Sequence, residues 1–425
     1  MKKDRIYYPI DSGALFYPVI RTRKSESIFT YTLLMLDDVN PEMLSKAVEE
    51  SFLRFPTMAV RLRVSYSKHY FENNKLPLPI REWDGKVLAP INRKKNNYHN
   101  IRISYKGKKI VFDFFHSVTD ANGALRFLKY VCYEYAKLIG KDVSEITDVD
   151  LNSRESEGEI EDSFIKYYQK TSFRLEDIKS LIGEKPITIG GNPAPKTFTC
   201  RELVAKEVID LAREKNTTVT ALLGGILTYS IIRTREKIDY KKSLILMIPV
   251  DYRRVFPSNT MRNFVFFIRC KIKPQPQYIL DDYIRLVHDQ ILEGTKKENL
   301  QYDLSTIVKG SKNITLKICP LFLKIAIAKF SRLFLKTRQT IIFSNIGKVD
   351  IDKRLDVDKI MFNLNVSKNA TTNCAAISTN GEMVLAFSKS VSDDMVENKT
   401  FNMLESLGCT VKYIEKPEQE ENIDD

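Results

Sequence analysis

The sequence has few of the features that metal sites, disulfide frameworks and nucleotide folds require. Its six cysteines form no Cys-x-x-Cys pair and no cluster with histidine, which argues against a zinc site. No glycine-rich phosphate loop of either common type occurs, so the corresponding nucleotide folds are disfavoured. No uncharged apolar run reaches the roughly 18 residues of a spanning helix, and the N-terminus has no signal-like apolar segment. We therefore expect a cytoplasmic protein with reduced cysteines.

Histidine is also scarce: only four occur in 425 residues, at His69, His99, His116 and His288. General-base chemistry by an imidazole therefore has very few candidates. The contents of 43% hydrophobic and 28% charged residues are typical of a globular protein. The chain is longer than the roughly 250–300 residues that one hydrophobic core supports, so two domains or two related halves are expected.

The spacing of apolar residues predicts strands and helices that alternate irregularly. In the first half, strands are predicted near 29–36, 100–105 and 109–115, and helices from Pro41 onwards and over 121–138. The polar, acidic segment 142–163 is the predicted linker or crossover, and 190–196 is predicted as a second loop. The order of elements then resembles the first half, which indicates two α+β, mixed-sheet halves side by side.

The best chemical candidate is His116, which follows a strongly apolar strand and precedes Asp120 by four residues. A histidine at the exit of a buried strand is held rigidly and is half desolvated, as a general base requires. The plainer interpretation is a buried histidine with satisfied hydrogen bonds, followed by Asp120 as the N-cap of the next helix. The spacing alone leaves both interpretations open.

The segment HSVTDANG (116–123) resembles the HxxxD(G) motif of the CoA-dependent acyltransferase superfamily. That group includes chloramphenicol acetyltransferase, alcohol acetyltransferases and peptide-synthetase condensation domains. The departure is that Ala and Asn separate Asp120 from Gly123, which is closest to the alcohol acetyltransferase-like branch. Three further stretches resemble the family in the expected order: LSKAVEESFLRFPTMAVRLR (44–63), IPVDYRRVFPSNTMRNFVFF (248–267) and IIFSNIGKVD (341–350).

The resemblance implies two chloramphenicol-acetyltransferase-like halves, residues 1–175 with the motif and residues 176–425. They would form a pseudo-dimer with a tunnel between them. His116 would take a proton from an alcohol or amine, which attacks a thioester carbonyl without an acyl-enzyme. Asp120 would be structural and would pair with Arg253, or with Arg254 as the alternative.

The resemblance also implies residues that support the site or bind substrate. Asn263 and Gly123 are expected to support it. Ser344 or Asn345 is expected to donate a hydrogen bond to the oxyanion or to the pantetheine arm. Gly347 suits a turn with positive φ. An ordinary turn is the alternative at Ser344 and Asn345, because the aromatic-rich pattern of other branches is missing there. No metal is expected.

The charge of +13, from 67 basic and 54 acidic residues, predicts an anionic partner. The basic segment 92–110 is either a solvated hairpin edge or a patch for CoA phosphates or an acidic acyl-carrier protein, and His99 within it is expected to be solvated. Nucleic acid ranks below these because no binding motif occurs. The apolar, basic segment 316–335 predicts a half-buried helix, or a helix that contacts a membrane or a lipophilic substrate.

We expect acetyl-CoA or another acyl thioester as co-substrate, a small alcohol or amine acceptor, no permanently bound cofactor and a monomer. The predicted function is the transfer of an acyl group, most simply acetyl, from a CoA or carrier-protein thioester. The alternative is a catalytically inactive acyltransferase-like protein that binds an acidic partner or a membrane through its basic surface.

Overall fold

The computed structural model describes residues 5–22, 26–151, 156–172, 186–313, 318–334, 339–367 and 370–414, with the side chains of 328–334 excepted. The strands are β1 (Tyr7–Pro9), β2 (Ile28–Met35), β3 (Val60–Val64), β4 (His69–Asn73), β5 (Arg81–Glu82), β6 (Ile101–Lys106), β7 (Lys109–Phe115), β8 (Pro193–Val204), β9 (Leu244–Asp251), β10 (Val265–Ile272), β11 (Ile341–Lys348), β12 (Val357–Leu364), β13 (Thr372–Thr379), β14 (Glu382–Val391) and β15 (Val411–Tyr413).

The helices follow the same chain order. They are α1 (Phe16–Ile20), α2 (Pro41–Arg54), α3 (Ala121–Leu138), α4 (Glu157–Ile160), α5 (Ser163–Lys166), α6 (Ala205–Glu214), α7 (Val219–Arg233), α8 (Leu280–Gly294), α9 (Lys297–Lys312), α10 (Leu321–Phe334) and α11 (Met395–Ser406). The proposed boundary at 175/176, residues 152–155 of the predicted linker and the acidic tail from residue 415 lie outside the described residues.

The first sheet has five strands in the order β12-β2-β7-β6-β5 and is mixed, since β5 and β6 are parallel and the other neighbours are antiparallel. Helix α2 begins as predicted, because the Asn40 side chain accepts hydrogen bonds from the first two free backbone N–H groups after Pro41. Helix α3 covers the predicted range 121–138 and packs against α2. Phe127 of α3 meets Phe114 of β7 edge to face, which fixes this helix pair on the sheet.

The second sheet has seven strands in the order β10-β9-β11-β13-β14-β8-β15. It is mixed too, because β11 is parallel to both β9 and β13 while the other neighbours are antiparallel. Helices α7 and α8 pack together beside it. They approach closely at Gly225, where a Cβ atom would lie 2.6 Å from the Cα of Ile284. The predicted α+β architecture of mixed-sheet halves is confirmed.

The two sheets are linked by strand β12, which follows the first four strands of the second sheet in sequence but pairs with β2 of the first sheet. The pairing runs antiparallel from Val357 opposite Met35 to Leu364 opposite Phe29. Phe362 of β12 packs against Tyr31 in the same core. Strand β12 therefore completes the first sheet, whose strand β7 ends directly before His116. Strands β1, β4 and β3 form a separate three-stranded antiparallel sheet.

Two segments differ from the prediction. The predicted loop 190–196 is strand from Pro193 onwards, because β8 extends along β14 as far as Val391. Helix α9 was not predicted, although its Leu300, Leu304 and Val308 are buried at helical spacing. The helix predicted over 316–335 is observed from Leu321, directly after Pro320, and residues 316, 317 and 335 lie outside the described ranges. No helix in the described part of the chain is long and apolar enough to cross a bilayer.

Candidate active site

His116 stands at the end of β7, where the first sheet meets the loop before α3. Its backbone N–H donates to Ser27 O at 2.8 Å, and its partly exposed ring stacks on Tyr17 with centroids 4.6 Å apart. Phe29 meets the ring edge to face at 5.0 Å. Burial by these aromatic neighbours lowers the pKa of His116, despite opposing contributions from its own backbone carbonyl, Asp120 and Asn263. The imidazole is therefore neutral at pH 7.

The tautomer of His116 follows from its hydrogen bond to Asn263. His116 Nδ1 lies 3.0 Å from Asn263 Oδ1. A carboxamide oxygen only accepts hydrogen bonds, so Nδ1 carries the ring proton and Nε2 keeps its lone pair. The same amide donates from Nδ2 to Asp11 Oδ2 at 3.3 Å, which fixes its orientation. Asn263 thus makes Nε2 the basic atom of the ring.

Asp11 is the site residue that the sequence analysis missed. It is almost fully buried, accepts from the backbone and side-chain N–H groups of Asn263, and lies 3.8 Å from the Arg262 guanidinium. Burial raises the pKa of Asp11 to about 7, even though Arg262 acts in the opposite direction. Its other oxygen, Oδ1, has no hydrogen-bond partner among the described residues. The chain His116–Asn263–Asp11 therefore ends in a carboxyl group that titrates near neutral pH.

Asp120 faces the protein interior, where three donors surround its carboxylate. Oδ1 accepts from Gly123 N at 3.0 Å and caps α3, while Oδ2 accepts from Phe264 N and from Arg253 Nη1, both at 2.8 Å. Arg253, and not Arg254, is thus its partner. Arg253 also pairs with Asp251 and donates to backbone carbonyls of the same loop, including Arg262 O. Burial would lower the pKa of Arg253, but the two carboxylates raise it on balance.

Gly123 lies in the first turn of α3, where the helix touches the loop that carries Asn263. A Cβ atom there would be 2.2 Å from both Met261 O and Thr119 Oγ1. Those two groups are themselves hydrogen bonded at 2.5 Å. The absence of a side chain at position 123 therefore allows the His116 loop and the 251–264 loop to close on each other.

Two buried clusters support this contact from behind. One is an aromatic cluster in which Phe164, Tyr252 and Phe264 pack on the buried face of α9. The other is an ion network in which Glu159 accepts from Arg54 at 2.7 and 2.8 Å and from Arg126 at 2.8 Å. The segment 156–166, which lies in the predicted linker and just beyond it, is therefore packed against the site loops.

The predicted substrate-binding residues lie on β11 of the second sheet. Gly347 has φ +85° and ends a bulge in the pairing with β13. The Asn345 side chain holds that turn, since Oδ1 accepts from Gly347 N and Nδ2 donates to Thr220 Oγ1, both at 3.0 Å. Ser344, the residue before Asn345, is buried. The hydrogen-bond and ring partners observed for the His116 side chain are Asn263, Tyr17 and Phe29, and neither Ser344 nor Asn345 is among them.

Strands β9 and β11 separate at the level of these residues. They pair in parallel at Ile341–Leu246 and Ile342–Met247, and beyond that point the described ladder stops. Strand β9 continues to Asp251, next to Arg253, while β11 continues through Ser344 along β13. Two surface clefts of the described structure, of about 250 and 500 Å³, lie elsewhere and do not include His116.

The other predictions on polar residues have mixed outcomes. His99 was expected to be solvated, and this was wrong: it is fully buried, bonds Leu76 O through Nε2 at 2.7 Å and stacks on Phe52. The basic segment around it is also partly internal, because Arg93 pairs with Glu26. Five of the six cysteines are buried and none forms a disulfide, and no group of His, Cys, Asp and Glu in the described residues suits a metal ion.

The chain is similar in fold to solved acyltransferases and condensation domains. A trichothecene 15-O-acetyltransferase from Fusarium sporotrichioides superposes with a TM-score of 0.61 at 12% identity, covering 95% of this chain and 94% of that one. Polyketide synthase associated protein 5 from Mycobacterium tuberculosis gives 0.59 at 13%, covering 89% and 92%. The first condensation domain of the calcium-dependent antibiotic synthetase gives 0.59 at 11%, covering 95% of each.

These structural similarities are not matched at the level of sequence. No protein-family model matches the chain, and a search of curated proteins finds no match. The similarity in structure nevertheless extends over nearly the whole length of both partners for an acetyltransferase, two condensation domains and an epimerization domain. The chain therefore shares the fold of these acetyltransferase and condensation-domain structures.

Proposed function

We propose that the protein transfers an acyl group, most simply acetyl, from a thioester donor to an alcohol or amine. One observation carries the proposal: Asn263 holds His116 in the tautomer whose Nε2 is unprotonated, at the contact between the two site loops. The lowered pKa of His116 keeps that nitrogen available as a base at neutral pH. The fold, shared with an acetyltransferase and with condensation domains, supports the same class of reaction.

The proposed reaction needs a single base, which is His116. His116 Nε2 takes the proton from the acceptor hydroxyl or amine as its oxygen or nitrogen forms a bond to the thioester carbonyl carbon. The tetrahedral oxyanion then collapses, the carbon–sulfur bond breaks, and the imidazolium returns the proton to the thiolate. No acyl-enzyme forms. Asp120 is bound by Arg253 and Phe264 N, so it acts by fixing the loop and does not touch the acceptor.

The donor is proposed to reach His116 between the two halves, where β9 and β11 separate. Ser344 is the better oxyanion donor of the two predicted residues, because the Asn345 amide is already used to hold its own turn. Free acetyl-CoA and an acylated carrier protein offer the same thioester and pantetheine arm, and the positive charge of the chain suits the phosphates of either. The proposal also includes the division of the chain into two domain-like halves and a tunnel between them.

The test measures free thiol release from acetyl-CoA, and from an acylated carrier protein, with a panel of alcohols and amines. Replacing His116 with alanine removes the base while the aromatic neighbours remain. We expect kcat/KM to fall by about 10²–10⁴-fold. Thermal unfolding of the variant should stay close to that of the parent protein, because the ring is only partly buried.

The matched control is His288→Gln, which changes another histidine outside the site; His288 Nδ1 bonds Thr217 Oγ1 at 2.8 Å. This variant should keep full turnover. Equal turnover in His116→Ala and the parent protein would overturn the proposed mechanism. Absence of turnover with both donors and all acceptors, in a folded protein, would favour a binding protein with an acyltransferase-like fold.

A further inference from the structure

Helix α10 presents its apolar side to solvent. Phe322 is 73% exposed, Ile327 is 52% exposed, and Ile318 just before the helix is 69% exposed. A surface helix of a globular protein normally has the opposite arrangement, with apolar residues facing the core. Isolated exposed apolar residues are ordinary, but a row of large ones along one helix indicates a binding surface.

The contacts that fix α10 explain this orientation. Leu321 is buried and its N–H donates to Tyr66 O at 2.8 Å, while the Lys324 ammonium bonds Ser67 O. The one basic side chain described on the helix is thus turned towards the protein. Tyr66 itself is 75% exposed and lies at the tip of the β3–β4 turn beside the helix.

The same surface extends to helix α1, which packs against α10. Phe16 of α1 is half exposed, and its ring lies 4.1 Å from that of Tyr17, which stacks on His116. We name these residues the α10 surface: Phe16, Tyr66, Ile318, Phe322 and Ile327. It is an apolar surface two aromatic rings away from the candidate base.

The charge of the surrounding sequence indicates what covers this surface. Residues 304–349 contain nine Lys and Arg and no Asp or Glu. A second copy of the chain would bring two such basic segments together, which is unfavourable, whereas an anionic surface is attracted to them. Apolar side chains flanked by basic residues are the pattern of helices that lie in a membrane interface.

We propose that the α10 surface docks peripherally on an anionic lipid bilayer. Phe322, Ile327, Ile318 and the rings of Phe16 and Tyr66 enter the boundary between headgroups and acyl chains. The net positive charge of the 304–349 segment attracts the anionic headgroups. The proposal does not depend on the protein being an acyltransferase.

The experiment measures co-sedimentation of the full-length protein with vesicles. Vesicles of phosphatidylcholine mixed with phosphatidylglycerol should bind the protein, and vesicles of phosphatidylcholine alone should bind it several-fold less. High salt should weaken binding because it screens the headgroup charge. The double variant Phe322→Ser/Ile327→Ser should lower the partition coefficient about tenfold or more, because it removes two inserted apolar side chains.

The matched control is Leu53→Ser/Leu292→Ser, which removes two equally exposed apolar side chains on α2 and α8. It should bind vesicles like the parent protein. A second readout places tryptophan in the surface: Phe322→Trp in a Trp83→Phe background should shift its emission to the blue when anionic vesicles are added. This readout remains available if the serine variant does not fold.

Three results would overturn the proposal. One is equal vesicle binding by the serine double variant and its control, and another is an unshifted emission of the Phe322→Trp protein. The third is a concentration-dependent dimer, seen by sedimentation velocity, that the Phe322→Ser/Ile327→Ser change abolishes while vesicles bind neither protein. That result would assign the α10 surface to a second copy of the chain.

Discussion

At the scale of single residues, the Asp120–Arg253 pair determines how the His116 loop is held. Both groups are largely withdrawn from water, and Nη1 lies 2.8 Å from Oδ2. Removing one partner of a buried ion pair leaves the other charge poorly compensated, which is strongly destabilising. We therefore expect Asp120→Asn to lower the free energy of unfolding by roughly 3 kcal/mol and to lower activity with it.

A double-mutant cycle with Arg253→Ala checks this in urea unfolding. The two changes should be non-additive by about 1–3 kcal/mol, because they remove the same interaction. The control is Arg254→Ala, since Arg254 is the exposed neighbour, and its effect should stay within about 0.5 kcal/mol. If Asp120→Asn lowered activity and left stability unchanged, Asp120 would act on substrate and the structural role would be wrong.

The HxxxD motif and the resemblance to the acyltransferase superfamily predicted most of the residues that meet at this site, including His116, Asp120, Arg253 and Asn263. They could not name Asp11, because it is 252 residues from Asn263 in sequence and only the fold brings them together. They also misjudged His99, whose polar, basic neighbours suggested solvent. His99 is nevertheless buried, with Nε2 bonded to Leu76 O and with Nδ1 lacking a hydrogen-bond partner among the described residues.

At the scale of elements, the start of α3 depends on Gly123. Alanine there would place a methyl group against Met261 O and Thr119 Oγ1, two groups that are already hydrogen bonded to each other. Because the obstacle includes backbone, the helix or the loop must shift. We expect Gly123→Ala to lower the free energy of unfolding by about 1–3 kcal/mol and to reduce turnover, measured by thermal unfolding and thiol release.

The chain offers a matched control for this substitution in Gly310, an exposed glycine inside α9 with open space around its Cα. Gly310→Ala should instead stabilise the protein by about 0.5–1 kcal/mol, because alanine is the better helix former. Equal effects of the two changes would show that helix propensity and not the close approach governs position 123.

Elements with strong local signals were predicted closely, as with the Asn40 cap of α2 and the span of α3. Helix α9 was missed because its sequence is polar and contains Gly310, although Leu300, Leu304 and Val308 recur every four residues. The first four residues of strand β8 were predicted as a loop because they include Pro193 and Pro195. There the pairing with β14 outweighs the local preference for a loop. No pattern in the local sequence reveals that pairing.

At the scale of the whole molecule, length and element order correctly indicated mixed-sheet halves. They did not indicate that β12 would complete the first sheet, since strand pairing over more than 300 residues has no local signature. Beyond β12, the segment 156–166 packs against the loop at 251–264, for example through Met261 N donating to Glu159 O at 2.8 Å. Two shared elements therefore connect the halves.

This connection predicts that both halves unfold together. The single tryptophan, Trp83, belongs to the first half, where its backbone N–H donates to Tyr105 O at 2.7 Å. Its fluorescence in urea reports on that half, while far-UV circular dichroism reports on the whole chain.

Leu227 of α7 is fully buried in the hydrophobic core beside the second sheet. Leu227→Ala should lower the free energy of unfolding by about 2–5 kcal/mol. If β12 and the 156–166 segment couple the halves, this remote change moves the Trp83 midpoint and the dichroism midpoint to lower urea by the same amount. A Trp83 midpoint that stays in place while the dichroism curve splits into two steps would show that the halves are stable independently.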